Sequence, residues 1–210
     1  TLDRSSAASD VYKRQELKRE ATIRPFDLAE QLGLPEAALV EADLGQGATR
    51  LDPALARLIP AIGALGEVMA LTRNRSCVIE KVGTYNDFHD GDHAAMTLDP
   101  EIDLRMFPSR WVHAYAAETE GKDGPRRSVQ VFNRAGDAVH KVHLRAGSDL
   151  RAWQALRRDL ALDDQQTLSE FGQRAAPMGA KIAEGRADTL RAEWVLSLIH
   201  ISEPTRPLYI

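Results

Sequence analysis

The stretch Asp103-Leu104-Arg105-Met106-Phe107 sets a cation two residues from an aromatic ring, the spacing that puts both on one face of an extended strand. Leu104 and Met106 then face a covering layer and leave Asp103, Arg105 and Phe107 on the other side. A ring that packs on a π surface, beside a guanidinium that meets a carboxylate, suits a flat anionic ligand. The same pattern also describes an ordinary solvated strand face. A few residues on, Trp111, His113 and Tyr115 alternate with Val112, Ala114 and Ala116. A strand there gathers three rings on one face, either half of a ligand pocket or the more buried side of a sheet.

Other reactive side chains carry weaker patterns. His140 alternates with Val142 and Leu144 and reads as a core histidine whose ring nitrogens must find partners, while His143 falls with Lys141 on the opposite, solvated face. His89-x3-His93 encloses Asp90 and Asp92, which are ligand types for a divalent ion. The pair straddles an Asp90-Gly91 turn, however, and no third histidine or cysteine completes a spacing, so no metal site is expected. Cys77 lacks the His or Lys neighbours that activate a thiol and reads as buried. There is no glycine-rich phosphate loop, nucleophile elbow or zinc motif. Asp27 to Leu39 has the cadence of a helix-turn-helix, yet its second helix bears Glu36, Glu41 and Asp43 with no Lys or Arg, and phosphates would repel it.

The elements that must hold these groups follow from periodicity. Phe26, Leu28 and Leu32 define a short amphipathic helix ending at Gly33, which suits a left-handed cap. A second helix starts after Leu34, with Pro35 in its first turn and Leu39 and Val40 on its apolar side. A third starts at Asp52-Pro53 and carries Leu55, Leu58, Ile59 and Ile62, with Pro60 expected to kink or end it. From 67 to 145 the period falls to two. Turns at Asn74 to Ser76, Asp90-Gly91, Asp99-Pro100, Gly121 to Pro125 and Ala135-Gly136-Asp137 separate strands over 67–73, 77–85, 93–98, 102–107, 110–119, 127–133 and 138–145. No crossover helix divides them, so the sheet is an antiparallel meander. Ser148 then caps a helix whose Leu150, Trp153, Leu156 and Leu160 cover one sheet face. The class is α+β: N-terminal helices, antiparallel sheet, closing helices.

Composition limits what such a protein can do. The 210 residues carry a formal charge of −4, too little positive field to hold nucleic acid. One cysteine points to a reducing compartment. No apolar run reaches the roughly 18 residues that span a bilayer, so a cytoplasmic protein without membrane insertion is expected. Residues 1–15 and 196–210 have no periodicity that joins their neighbours and resemble translated sequencing-adapter read-through, foreign tails to be set aside. This leaves a domain over 16–162 and a Gly- and Pro-interrupted linker over 163–195, with the natural chain expected to continue past Trp194.

Several blocks in order carry a resemblance: Asp27 to Leu39; Gly66 to Asn74; Glu80-Lys81-Val82-Gly83-x-Tyr85; His93-Ala94-Ala95-Met96; Ile102 to Ser109 with Trp111; and Val129 to Phe132 with Gly136 to Val142. Over about residues 24–162 the chain resembles the bacterial haemin-degrading factor family, also called haemin transport proteins. The resemblance implies a cytoplasmic haem-binding protein of two similar halves, of which this chain matches the first, with haem held between them. It implies that Arg105 faces the haem and that Phe107 packs on the porphyrin, with Trp111, His113 and Tyr115 as further cofactor-binding candidates. The axial histidine belongs to a helix expected after Trp194, and His200, inside the adapter-like string, is not counted. Ile79 stands where many relatives have a histidine before the glutamate matching Glu80. The implied function is haem-iron utilisation, by trafficking or by ring opening in the intact protein, the latter needing oxygen and an electron donor. A non-enzymatic haem chaperone is the alternative and a helix-turn-helix regulator the third. The partners implied are a haem importer, a downstream haem oxygenase, and a second copy pairing through the open face.

Overall fold

The computed structural model describes residues 11–17, 23–74, 77–121, 124–174, 176 and 185–202. Helices α1 (11–17), α2 (Pro25–Leu32) and α3 (Glu36–Glu41) precede strand β1 (Ala48–Leu51) and helix α4 (Leu55–Gly63). Strands β2 (Val68–Arg73), β3 (Val78–Gly83), β4 (Phe88–His89), β5 (Ala95–Leu98) and β6 (Asp103–Met106) follow. A 3-10 turn (Pro108–Arg110) leads into β7 (His113–Gly121), β8 (Gly124–Phe132) and β9 (Ala138–Leu144), and α5 (Leu150–Asp159) closes the first of two compact units, residues 1–174. The second unit, 175–210, contains helix α6 (Ala187–Ser202), which runs across the point where the adapter-like wording begins. Parts of the turns expected at Asn74 to Ser76 and Gly121 to Pro125, and residues 1–10 and 203–210 of the two tails, lie outside the described residues.

The α+β class and the antiparallel pairing are as the sequence implies. The strands divide into a six-stranded sheet of order β1-β7-β8-β9-β2-β3 and a three-stranded sheet β4-β5-β6. Between them lies the main core. Leu58, Ile59 and Ile62 of α4, Trp153 and Leu156 of α5, the inner-face residues Val68, Ala114, Val129 and Val142, and Ala95 and Met106 of the small sheet are all buried there. The other face of the large sheet is covered at its β1-β7-β8 end by Ala37 and Val40 of α3, against Ala48, Tyr115, Ala117 and Phe132. At the opposite edge β3 is open, with Val78 and Ile79 exposed.

Local chemistry explains where expectation and structure part. Gly33 adopts φ 64 at the C-terminus of α2, as the cap requires. Pro60 does not end α4, which continues to Gly63. The proline faces solvent, where the carbonyl it leaves free can be hydrated, while Leu58, Ile59 and Ile62 pin the other side. Strand β1 gives no sequence signal because four residues are too few to show a period; its pairing with β7 fixes it. Asp149, not Ser148, caps α5 by accepting from the amides of Arg151 and Ala152. Ser148 is buried and instead donates to the Glu67 carbonyl. Cys77 is exposed rather than buried, just before a solvent-facing strand.

Residues 163–174, read from composition as linker, are fastened down. Their anchor is Glu41, 2% exposed at the end of α3. Its carboxylate accepts from Arg50 Nη2 at 2.7 Å, Tyr115 Oη at 2.7 Å, and the Ser169 amide and hydroxyl at 2.8 and 2.6 Å. Arg50 reaches on to the carbonyls of Asp164 and Thr167, and the Gln165 amide pairs with the Arg50 main chain on both sides. The segment therefore covers the free edge of β1, which would otherwise invite pairing with another chain. Further along, Arg174 pairs with Asp137 and Glu30. Phe171 packs where Gly136, at φ 76, leaves no room for a side chain. Burial raises the Glu41 pKa, but hydrogen bonds from Ser169, Tyr115 and Arg50 outweigh it and the net shift is downward.

A second polar node sits inside the core. His140 Nδ1 lies 2.8 Å from Thr72 Oγ1 and Nε2 lies 2.5 Å from Tyr85 Oη, while its ring stacks on Trp111 at 5.6 Å. Burial, assisted by nearby His143, pushes its pKa down to about 4, so the ring stays neutral.

Glu41→Ala should cost about 3 kcal/mol in urea unfolding, the low end for breaking a buried ion pair, because Arg50 keeps its two carbonyl partners. Tyr115→Phe, which removes one donor, should cost about 1 kcal/mol. Protease cleavage within 164–171 should rise in Glu41→Ala. In acid the two nodes act in sequence. The unfolded chain protonates His140 near its ordinary pKa of 6.5 and the folded one only near 4, so stability is full above 6.5 and falls by about 3 kcal/mol as pH drops between these values. The Glu41 contribution, with its lowered folded pKa, is full above the ordinary carboxylate value of 4.5 and is lost as pH falls from there through the folded value. His140→Phe should be less stable at neutral pH and show a flatter urea midpoint from pH 6.5 to 4.

Candidate functional site

Strand β6 places its residues as alternation requires: Asp103 and Arg105 exposed, Leu104 half-buried, Met106 buried. Phe107 continues the extended backbone at φ −110, ψ 110 and is 52% exposed, on the side of Arg105. Arg105 Nη1 lies 2.5 Å from Asp103 Oδ1, an ion pair open to water on both sides.

The register adds two residues that spacing along the chain does not reveal. Met96 of β5 lies opposite Arg105, and His89 of β4 lies opposite Met96. Directly opposed residues of antiparallel strands share a face. The outer face of the small sheet is therefore a row His89, Met96, Arg105, with Leu98 opposite Asp103 and 42% exposed. His89 belongs to this row, and its Nε2 meets Asp87 Oδ1 at 2.9 Å. The signal for Met96 and His89 lay in strand pairing, which a one-dimensional pattern does not carry.

Trp111, His113 and Tyr115 do not share a face. The 3-10 turn before β7 breaks the alternation, so Trp111 turns into the main core, 5% exposed, with Ala114 and Ala116. His113 and Tyr115 point to the opposite face. His113 is half-buried against Phe171 at 5.2 Å, and burial lowers its pKa. Tyr115 is fully buried, bonded to Glu41, and its pKa is raised by burial and by that carboxylate. Of the five candidates, Arg105 and Phe107 are the ones open to solvent.

His143 is not solvated as its position beside Lys141 suggested. It is partly buried, and burial, followed by Lys141 and Arg126, pushes its pKa down to about 4. It lines a cavity of about 300 Å³ on the outer face of the large sheet, under α2 and α3. The helix-turn-helix reading fails on burial as well as charge: all six residues of α3 are buried and leave no side of it for a groove. Among the described residues, no helix is long and apolar enough to cross a membrane.

The chain is similar to known proteins in sequence and in fold. The haemin-degrading HemS.ChuX domain matches residues 33–160. The chain is 38% identical over 143 residues to the hemin transport protein HmuS of Yersinia pestis, covering 68% of this chain and 41% of that protein. It superposes on holo-PhuS, a heme-binding protein from Pseudomonas aeruginosa, with a TM-score of 0.77 and 35% identity, covering 92% of this chain and 59% of that one. The heme degrading enzyme ChuS of Escherichia coli O157:H7 gives a TM-score of 0.71 at 25% identity, with 92% and 58% covered. The chain thus spans well under two thirds of each of these relatives.

Proposed function

The chain belongs to the haemin-degrading HemS.ChuX domain family, and on that footing we propose that it binds haem on the outer face of the small sheet, as the haem-contacting part of a haem-iron utilisation protein. The observation that carries this reading is the open pairing of Arg105 with Phe107 beside Met96 and Leu98. That set fits a porphyrin: an apolar, polarizable floor for the ring and a guanidinium for a propionate. In the meantime Asp103 keeps Arg105 paired along its own strand. A propionate that replaces Asp103 takes a partner of equal charge and similar geometry, so the exchange costs little beyond desolvation. Trp111, His113 and Tyr115, proposed from sequence as contacts, act in this reading as support: Trp111 anchors the turn after Phe107, while His113 and Tyr115 tie β7 to the strap over its outer face.

Holding haem on this face serves either passing it on or opening its ring in the longer protein. A cytoplasmic location, receipt of haem from an importer, delivery to a haem oxygenase, and pairing of two copies through this face are parts of the same proposal.

In a Soret titration Arg105→Ala should bind haem about 10- to 150-fold more weakly, the value of a charge-assisted hydrogen bond of roughly 1.5 to 3 kcal/mol. Phe107→Ala should weaken binding with no change in salt dependence. Equal affinity in wild type and both variants would sink the assignment. Iron release under reductant, followed with a ferrous chelator, separates passing on from degradation.

A further inference from the structure

We propose that the cavity under α2 and α3 is a second ligand site, a trough for an elongated organic anion with an apolar midsection and an oxyanion group at each end. It lies on the outer face of the large sheet, away from the haem face, and the inference does not rest on the haem reading.

The floor is set by register. Ser128, His143 and Met69 stand level on β8, β9 and β2, and Gln130, Lys141 and Leu71 form the next row. Arg126 lies two residues before Ser128 on its strand, and Arg73 four residues beyond Met69 on a strand of the same direction. Their backbones are therefore six strand residues apart, about 20 Å along the sheet, with both side chains lining the same trough. Between the ends, Leu39 and Val40 of α3 form an apolar wall and Leu71, Ala117 and Ala48 contribute from the strands, over a floor that also carries Ser128, Gln130, His143 and the Lys141–Glu36 pair.

Charge at the two ends is not already spent. The trough holds Arg24, Arg73, Arg126 and Lys141 against Glu36 and Asp43, a positive excess in a chain whose net charge is −4. Lys141 and Glu36 neutralise one another in a buried pair, and Arg24 leans on Asp27. Neither Arg73 nor Arg126 forms an ion pair with any described residue. Arg73 is held by its guanidinium lying 3.9 Å over the Phe26 ring, and its Nε is shut off from solvent without an acceptor. A buried donor left unpaired is costly, so an arriving oxygen would be well rewarded there. At the other end Arg126 stands beside Ser128, and Thr119 faces it across the strand pair. A volume of about 300 Å³ admits a slender chain rather than a fused ring system.

Carboxylate and phosphate ends would both satisfy two guanidiniums, and the probes separate them. Sebacate, the corresponding alkyl bisphosphate and the monoanion octanoate are titrated calorimetrically into haem-free protein. Either sebacate or the bisphosphate should bind at least tenfold tighter than octanoate, and its affinity should fall about tenfold in Arg73→Gln and again in Arg126→Gln. Arg105→Ala should leave it unchanged, which keeps this result independent of the haem face. Both trough variants lie at the sheet surface, and unchanged melting temperatures establish that they fold. Absence of binding by both double-ended anions, binding no tighter than octanoate, or affinity indifferent to both substitutions would overturn the proposal.

Discussion

Taking a carboxylate out of water costs several kcal/mol unless donors replace its hydration, and Glu41 has four of them drawn from three separate parts of the chain. Arg50 comes from β1, Tyr115 from β7 and Ser169 from the segment beyond α5, so the charge is satisfied only when all three are in place. That requirement specifies arrangement more than it adds stability. It fixes the short helix α3 against the sheet, closes the edge of β1, and decides that the chain after α5 doubles back instead of leaving. Once α3 is fixed, Glu36 is in position to meet Lys141, and the wall of the outer trough is set.

His140 plays the complementary part on the inner face. Its two ring nitrogens join β2 to the turn around Tyr85, and its stacking on Trp111 fixes where the chain enters β7. Since the residues between Phe107 and Trp111 form one 3-10 turn, locking Trp111 also locks the exit from β6. The exposure of Phe107 thus depends on a buried histidine it never touches. The connection runs from core packing to backbone direction to the face a side chain presents.

What the sequence disclosed, and what it hid, follows from the range of each interaction. Alternation within β6 is local, and Leu104 and Met106 were enough to orient Arg105 and Phe107. The ring cluster after it divides because the alternation expected from Arg110 onward begins only at His113, and the proline-led turn Pro108–Arg110 sets Trp111 out of phase with it. Residues 163–174 are polar and interrupted by glycine, the composition of a linker, yet their partners Glu41, Arg50 and Asp137 lie more than thirty positions away in the chain. Polar residues that fold by satisfying distant buried groups look the same in one dimension as residues that stay in water. Cys77 and His143 stand in environments opposite to those expected for a related reason: Cys77 leads into β3, an edge strand exposed along its length, while His143 lies on central β9 beneath α2 and α3. Met96 and His89 became visible only through cross-strand register.

The large sheet finally determines how the two open surfaces relate. Its inner face is sealed by α4, α5 and the small sheet, so the face carrying Arg105 points away from it, on the far side of the core. The trough with Arg73 and Arg126 lies on the sheet's other side. Between them stand a layer of strands and a close-packed apolar core, about 10 Å of interior for each pair of stacked layers. Charges separated by that distance, each facing water, are screened from one another at physiological ionic strength. Coupling between the surfaces would have to pass through packing, and the route the structure offers is β9, which presents Lys141 and His143 to the trough and His140 to the core. A shift of that strand would disturb the Trp111 stack and with it the turn below Phe107.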